Sequence, residues 1–326
     1  MYLPLFGWVI KSIAEPSLLY DSIEITKGKK SFSKIDSKGV SLFYYFEGVA
    51  SVVTGFLYVI NPYLPMFISF GFCLIGSLLA TRFVEINLPS ENKASKGASV
   101  ATMLKSYVSE LRHAFKYIFK SKRLRSLLLF STIFVGINNL LGTYRKSLLK
   151  DLNVPAQYFG IILSVFTIIT GISSSRQSKF HNKFKNKTLS LLALLTVIPC
   201  IAIGIITFVS LPANVILVSV LILFALQFIA KGPHSTLLKK YTNNFSTPEI
   251  RTKIYSANEL VDSIGRTIIV FFGGVLLNYM NTAAAIMIIG VLFTIIMMWI
   301  INYMKPRLGL NPEQYKKEDI SYVPLK

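Results

Sequence analysis

Residues 82–125 read RFVEINLPSENKASKGASVATMLKSYVSELRHAFKYIFKSKRLR, a basic, polar interval between two stacks of apolar segments. Within it Met103, Leu104, Tyr107, Val108, Leu111, Phe115, Ile118 and Phe119 recur at helical spacing, and Lys105, Arg112, Lys116 and Lys120 occupy positions between them. That pattern predicts an amphipathic helix lying beside a membrane. Placed as it is, such a helix joins two bundles of membrane spans, a full one after it and a smaller one before it.

Composition agrees. Hydrophobic residues make up 52% of the 326 and charged residues 15%, with a mean hydropathy of +0.55, values that mark an all-α polytopic membrane protein rather than a soluble domain. The net charge of +20 does not point to nucleic acid, because the cations stand between apolar runs instead of forming a basic face with groove-reading or stacking groups. The expected partner is the lipid bilayer. Cys73 and Cys200 lie inside apolar runs, so neither a disulfide framework nor a thiolate metal site is expected.

Apolar runs fall at 2–19, 40–60 and 63–83 before the linker, and at 126–144, 156–174, 189–209, 213–229, 260–277 and 282–303 after it. Each is close to the ~20 residues that cross a bilayer core. A tight turn at Asn61-Pro62 makes the second and third runs a membrane hairpin. Lys and Arg number five in 20–39, ten in 82–125, five in 176–187, six in 231–266 and five in the tail, 31 of 35, against Arg145, Lys146 and Lys150 on the opposite side. The positive excess marks the cytoplasmic side, so the linker and C-terminus are expected there. Counting nine spans back puts Met1 outside, and the expectation is that about three spans are missing. The domain plan is then 1–84 for the remainder of an N-terminal bundle (its fourth to sixth spans), 85–123 for the cytoplasmic linker, 124–305 for a six-helix bundle and 306–326 for a cytoplasmic tail.

A resemblance becomes specific at Ser12-Ile13-Ala14-Glu15-Pro16-Ser17-Leu18-Leu19-Tyr20-Asp21-Ser22-Ile23. The stretch is similar to the end of the fourth span in prokaryotic efflux-type members of the major facilitator superfamily, where small residues lead into Tyr-Asp-Ser-Leu; Ile13 and Pro16 depart from the usual residues. The likeness continues through the linker, through 177–189 and through 251–266. It implies a major facilitator fold with an incomplete N-terminal bundle, about nine of twelve helices, and a substrate cavity between the bundles that opens alternately to each side. The function so implied is secondary active transport, the export of small amphipathic or drug-like molecules across the cell membrane, driven by an ion gradient, with a dependence on the missing spans left open. The loop at 177–187 keeps Lys183, Lys185 and Lys187 but lacks the Asp and Gly of the superfamily's loop motif, and 40–60 has Gly48 and Gly55 without the Gly-Pro motif of many drug antiporters. The alternatives are a non-transporting membrane protein that needs a partner and a polytopic membrane enzyme.

Transport through such a fold needs polar groups in apolar runs. Glu47, Asn138, Asn139 and Gln227 are the substrate-pathway candidates, and Gly232-Pro233 marks a kink or an end of the helix that carries Gln227. Glu259, Asp262 and Arg266 share one face at i, i+3 and i+7, as a gate or as a local Asp262–Arg266 ion pair. No cofactor or metal is expected: His113, His181 and His234 sit in separate stretches without ligand spacing and are expected at solvated or interfacial positions. Gly28-Lys29-Lys30-Ser31 resembles the tail of a phosphate loop, but Ile23 stands where its first Gly belongs, so no ATP-binding motif is present. No Ser-His-Asp arrangement or nucleophile elbow occurs.

Overall fold

The computed structural model describes Leu19 and residues 32–82, 100–155, 158–184, 187–246 and 248–304. The first apolar run and the 12–23 motif, Leu19 apart, and the expected tail at 306–326 lie outside the described residues. Before the linker stand α1 (Phe32–Ile60) and α2 (Leu64–Ala80), and the linker helix is α3 (Val100–Lys120). After it come α4 (Lys122–Asp151), α5 (Phe159–Ser175), α6 (Gln177–Phe184), α7 (Thr188–Phe208), α8 (Ala213–Phe245), α9 (Pro248–Leu276) and α10 (Thr282–Met304).

Five helices among these residues are long and apolar enough to cross a membrane: the Lys34–Tyr58 part of α1, α4, α7, α8 and α10. The pair α5 and α6, bent by 61°, makes a sixth if taken as one span. Of the other expected spans, α2 has only 17 residues, and α9 carries Glu259, Asp262 and Arg266 in the window that would have to cross. Large apolar side chains stay exposed along all of these helices but α6, among them Phe46, Phe56, Phe70, Val165, Ile222, Phe271, Phe272, Ile295 and Trp299. A soluble surface does not carry apolar area on that scale, whereas lipid covers it.

Local sequence sets the helix ends. Asn61 Oδ1 accepts from the Tyr63 amide at 2.8 Å in the turn between α1 and α2. Ser121 caps α4, its Oγ accepting from the Leu124 amide at 3.3 Å. At the other end Asn153 takes φ 58°, and the amides of Asn153 and Val154 bond back to the carbonyls of Lys150 and Leu149, a Schellman closure.

Helix α4 is the axis of the second bundle: Phe130, Phe134, Ile137, Leu141, Tyr144 and Leu148 are buried along it, and it packs on α3, α8, α9 and α10. Helix α1 packs most extensively on α5. The two run antiparallel through a seam of small residues, where a Cβ on Gly171 would lie 3.1 Å from the Ser41 carbonyl and one on Gly160 would lie 3.1 Å from that of Ser51. In lipid, where apolar burial gives no advantage, such close backbone approach is what holds helices together.

Of the two readings of Gly232-Pro233, a kink or an end, the end is excluded: α8 runs 33 residues, through Pro233 to Phe245. The carbonyl that Pro233 leaves without its amide partner belongs to Ile229, and Ser173 Oγ from α5 donates to it at 2.6 Å. The interval 231–266 is therefore two helix ends, not a long loop. At 1.5 Å per residue α8 extends to roughly 50 Å, well beyond a hydrocarbon core of about 30 Å, so its length carries the helix past that core while Leu237, Tyr241 and Phe245 stay buried in the bundle.

Candidate functional site

A cavity of about 720 Å³ lies between the helices before and after the linker. One face of α1 lines it with Ile35, Asp36, Gly39, Val40, Phe43 and Tyr44; α4 contributes Val135, α8 His234, Ser235, Leu238 and Lys239, and α9 Tyr255, Asn258, Glu259, Asp262 and Arg266. The spacing of three and four explains why α9 brings its three charges to this wall together.

The anticipated ion pair between Asp262 and Arg266 is not made. The Asp262 carboxylate turns to α4, where Ser131 Oγ donates to it at 2.9 Å and Thr132 Oγ1 at 2.6 Å, while Arg266 Nη2 donates to Ser263 Oγ at 3.0 Å. Two hydroxyls on the facing helix satisfy both carboxylate oxygens without the side-chain ordering that an i,i+4 pair requires. Across the cavity Asp36, 3% exposed, pairs with Lys239 at 2.8 Å, which ties α1 to α8. The second oxygen of Asp36 and Nε2 of His234 are buried with no partner among the described residues.

His234 is not solvated as expected: it is buried and stacks on Phe134 with ring centroids 4.1 Å apart. His181 is likewise buried, its Nδ1 3.2 Å from Thr188 Oγ1. His113 is exposed.

The pathway candidates divide. Asn139 is exposed and its amide donates to its own helix at Val135 O, 2.9 Å. Asn138 is half-buried, donates to Phe134 O at 2.9 Å, and leaves Oδ1 buried without a partner among the described residues. Gln227 is fully buried; its Nε2 donates to Thr196 O at 3.1 Å and to Cys200 Sγ at 3.2 Å on α7.

What occupies the carbonyl of Gln227 corrects the charge map. Arg145, assigned by the sequence to a loop, is 5% exposed and donates to Gln227 Oε1 from Nε at 3.2 Å and Nη2 at 2.9 Å. Its guanidinium lies 4.5 Å from the centroid of Phe228. Lys231, assigned to the same long loop as Lys239, sits inside α8 with Nζ 5.4 Å from the Tyr44 ring and 5.7 Å from that of Phe228. Glu47, exposed on α1, acts electrostatically on Lys231. The signal for Arg145 was present in the periodicity, since it follows Ile137 and Leu141 at intervals of four on the buried stripe.

Membrane-crossing helices around a cavity with charged walls, between elements on either side of an amphipathic linker, define a multi-pass protein of the two-bundle transporter class. A family model described as Major Facilitator Superfamily matches residues 147–321, over half of the chain, and the chain belongs to that family. It is by that membership a secondary transporter of small molecules, in a family made up generally of transporters rather than enzymes. No curated protein matches the chain.

Proposed function

We propose that this transporter exports small amphipathic or drug-like molecules across the cell membrane and is driven by an ion gradient, with Asp262 as the group that carries the coupling proton. The observation that supports this is the placement of Asp262: a carboxylate on the wall of an amphipathic cavity, held by hydroxyls of another helix and not by a cation. Such a carboxylate can gain or lose a proton without breaking a buried ion pair, and its bonds bridge α4 and α9. Ile35, Val40, Phe43 and Leu238 offer the cavity's apolar contacts, Glu259 and Arg266 its charged ones. Substrate and proton act only through their different affinities for the inward and outward states. The cationic helix ends and linker support a cytoplasmic location for that side and for the C-terminus.

The test is efflux of a fluorescent amphiphile from vesicles that contain the purified chain. Flux that collapses on adding an uncoupler supports the reading; flux that is indifferent to the gradient rejects ion coupling, and substrate turnover without flux rejects transport. A second reading has one observation in its favour, that no side chain of α2 is buried: the chain works only with a partner that covers α2. Flux by the chain reconstituted alone rejects it.

A further inference from the structure

We infer that the molecule this transporter binds is an organic anion, an apolar body with a carboxylate or sulfonate head, and that the head is held at Lys231 and Arg145 with Glu47 as its competitor. This rests on the transport reading above and adds the sign of the substrate's charge. Arg145 is buried in the interior of the bundle, and no carboxylate lies within 4 Å of it among the described residues; its contacts are the neutral carbonyl of Gln227 and the ring faces of Phe224 and Phe228. Lys231 shares the Phe228 ring with it, and the two cations act on each other. Amides and ring faces lessen the cost of holding a cation away from water, but they do not neutralise it.

Two positive charges thus converge on one phenyl ring, and among the described residues the acid acting on Lys231 is Glu47, at an exposed position one turn along α1 from Tyr44. An anion supplies the missing countercharge. Tyr44 lines the cavity on one side and has Lys231 over its ring, so that ring stands between the cavity and the cation. The rings of Tyr44, Phe224 and Phe228 suit the apolar body beside the head.

The experiment measures equilibrium binding of two probes with one ring system and opposite heads, 1-naphthaleneacetate and 1-naphthylmethylammonium, to the purified full chain. Naphthaleneacetate is expected to bind at least roughly tenfold more tightly than the ammonium probe, and Lys231→Gln to remove about that factor. Glu47→Gln separates this from a merely structural role, since removing the competitor tightens the anion and would weaken a cation. Arg145→Gln should weaken naphthaleneacetate too; if it does not fold, Lys231→Gln and Glu47→Gln decide. Preference for the ammonium probe, weaker anion binding in Glu47→Gln, an unchanged affinity in Lys231→Gln, or no binding of either probe overturns the proposal. Uncoupler-sensitive flux of another amphiphile alongside any of these results leaves transport standing, and anion binding without flux overturns transport alone.

Discussion

Gln227 spends every polar atom it has: the carbonyl accepts twice from Arg145 and the amide donates to Thr196 and Cys200. Gln227→Leu keeps the volume and strands a buried guanidinium, so it should destabilise the bundle by about 2–3 kcal/mol. The check is a lowered thermal midpoint in detergent, and a midpoint equal to the parent's would mean that Arg145 finds another partner. Asp262→Asn makes the opposite separation. Its amide still fills the site but cannot take up or release a proton, so gradient-driven flux is expected to fall at least tenfold with a loss of stability of only about 1 kcal/mol. Full uncoupler-sensitive flux in Asp262→Asn would remove it from the coupling. At this scale the sequence was half legible. An amide in an apolar run stands out because it is costly there, which is how Gln227 was found; Asp262 was singled out with Glu259 and Arg266 by their spacing on one helix face. Its partner does not stand out: which way Arg145 turns depends on the rotamer and on a carbonyl 82 residues away, and charge counting by loop sends it to the water.

Helix α8 shows what elements conceal. Gly-Pro in an apolar run reads as a kink or an end, and the neighbouring helix is what excludes the end. Ser173 restores the bond to the Ile229 carbonyl, Thr170 Oγ1 lies 3.1 Å from the Phe228 carbonyl, and Gly232 lets α5 come close enough for both. A Cβ at Gly232 would sit 2.5 Å from the Thr170 carbonyl oxygen and 2.9 Å from the Ser174 amide nitrogen, backbone atoms that cannot swing aside. Gly232→Ala should therefore cost about 1–3 kcal/mol and lower the yield of monodisperse protein. Gly55→Ala, with nothing within 4 Å of the new methyl, should be neutral. Equal behaviour of the two variants would show that α5 and α8 are free to separate at this point. Most of the described helices were legible, the spans from hydropathy and α3 from its apolar spacing, because lipid forces each span to satisfy its own backbone; α6, in a stretch read as a loop, and the helix ends were not, since these turns are held by tertiary contacts.

Across the whole molecule, the ion pair between Asp36 and Lys239 is the most exposed piece of the mechanism to test. It joins α1, which precedes the linker, to the C-terminal part of α8, which follows it, on the wall of the cavity. Under the proposed alternation between inward and outward states the two sides part there, so the pair would break and reform in each cycle. Reversing one charge, by Asp36→Lys or Lys239→Asp, replaces attraction by repulsion. At the effective dielectric of a partly buried pair this is worth on the order of 2–4 kcal/mol, enough to depopulate the joined state by a factor of ten or more. Flux should fall accordingly in each single variant, and the double reversal Asp36→Lys with Lys239→Asp should recover at least half of it, because the attraction returns with the positions exchanged. The readout is again uncoupler-sensitive efflux from vesicles. A double variant as inactive as the singles would mean that the second oxygen of Asp36, buried without a partner among the described residues, matters for something other than Lys239. Single variants with full flux would show that the two sides are held together elsewhere, the seam between α1 and α5 being the place to look.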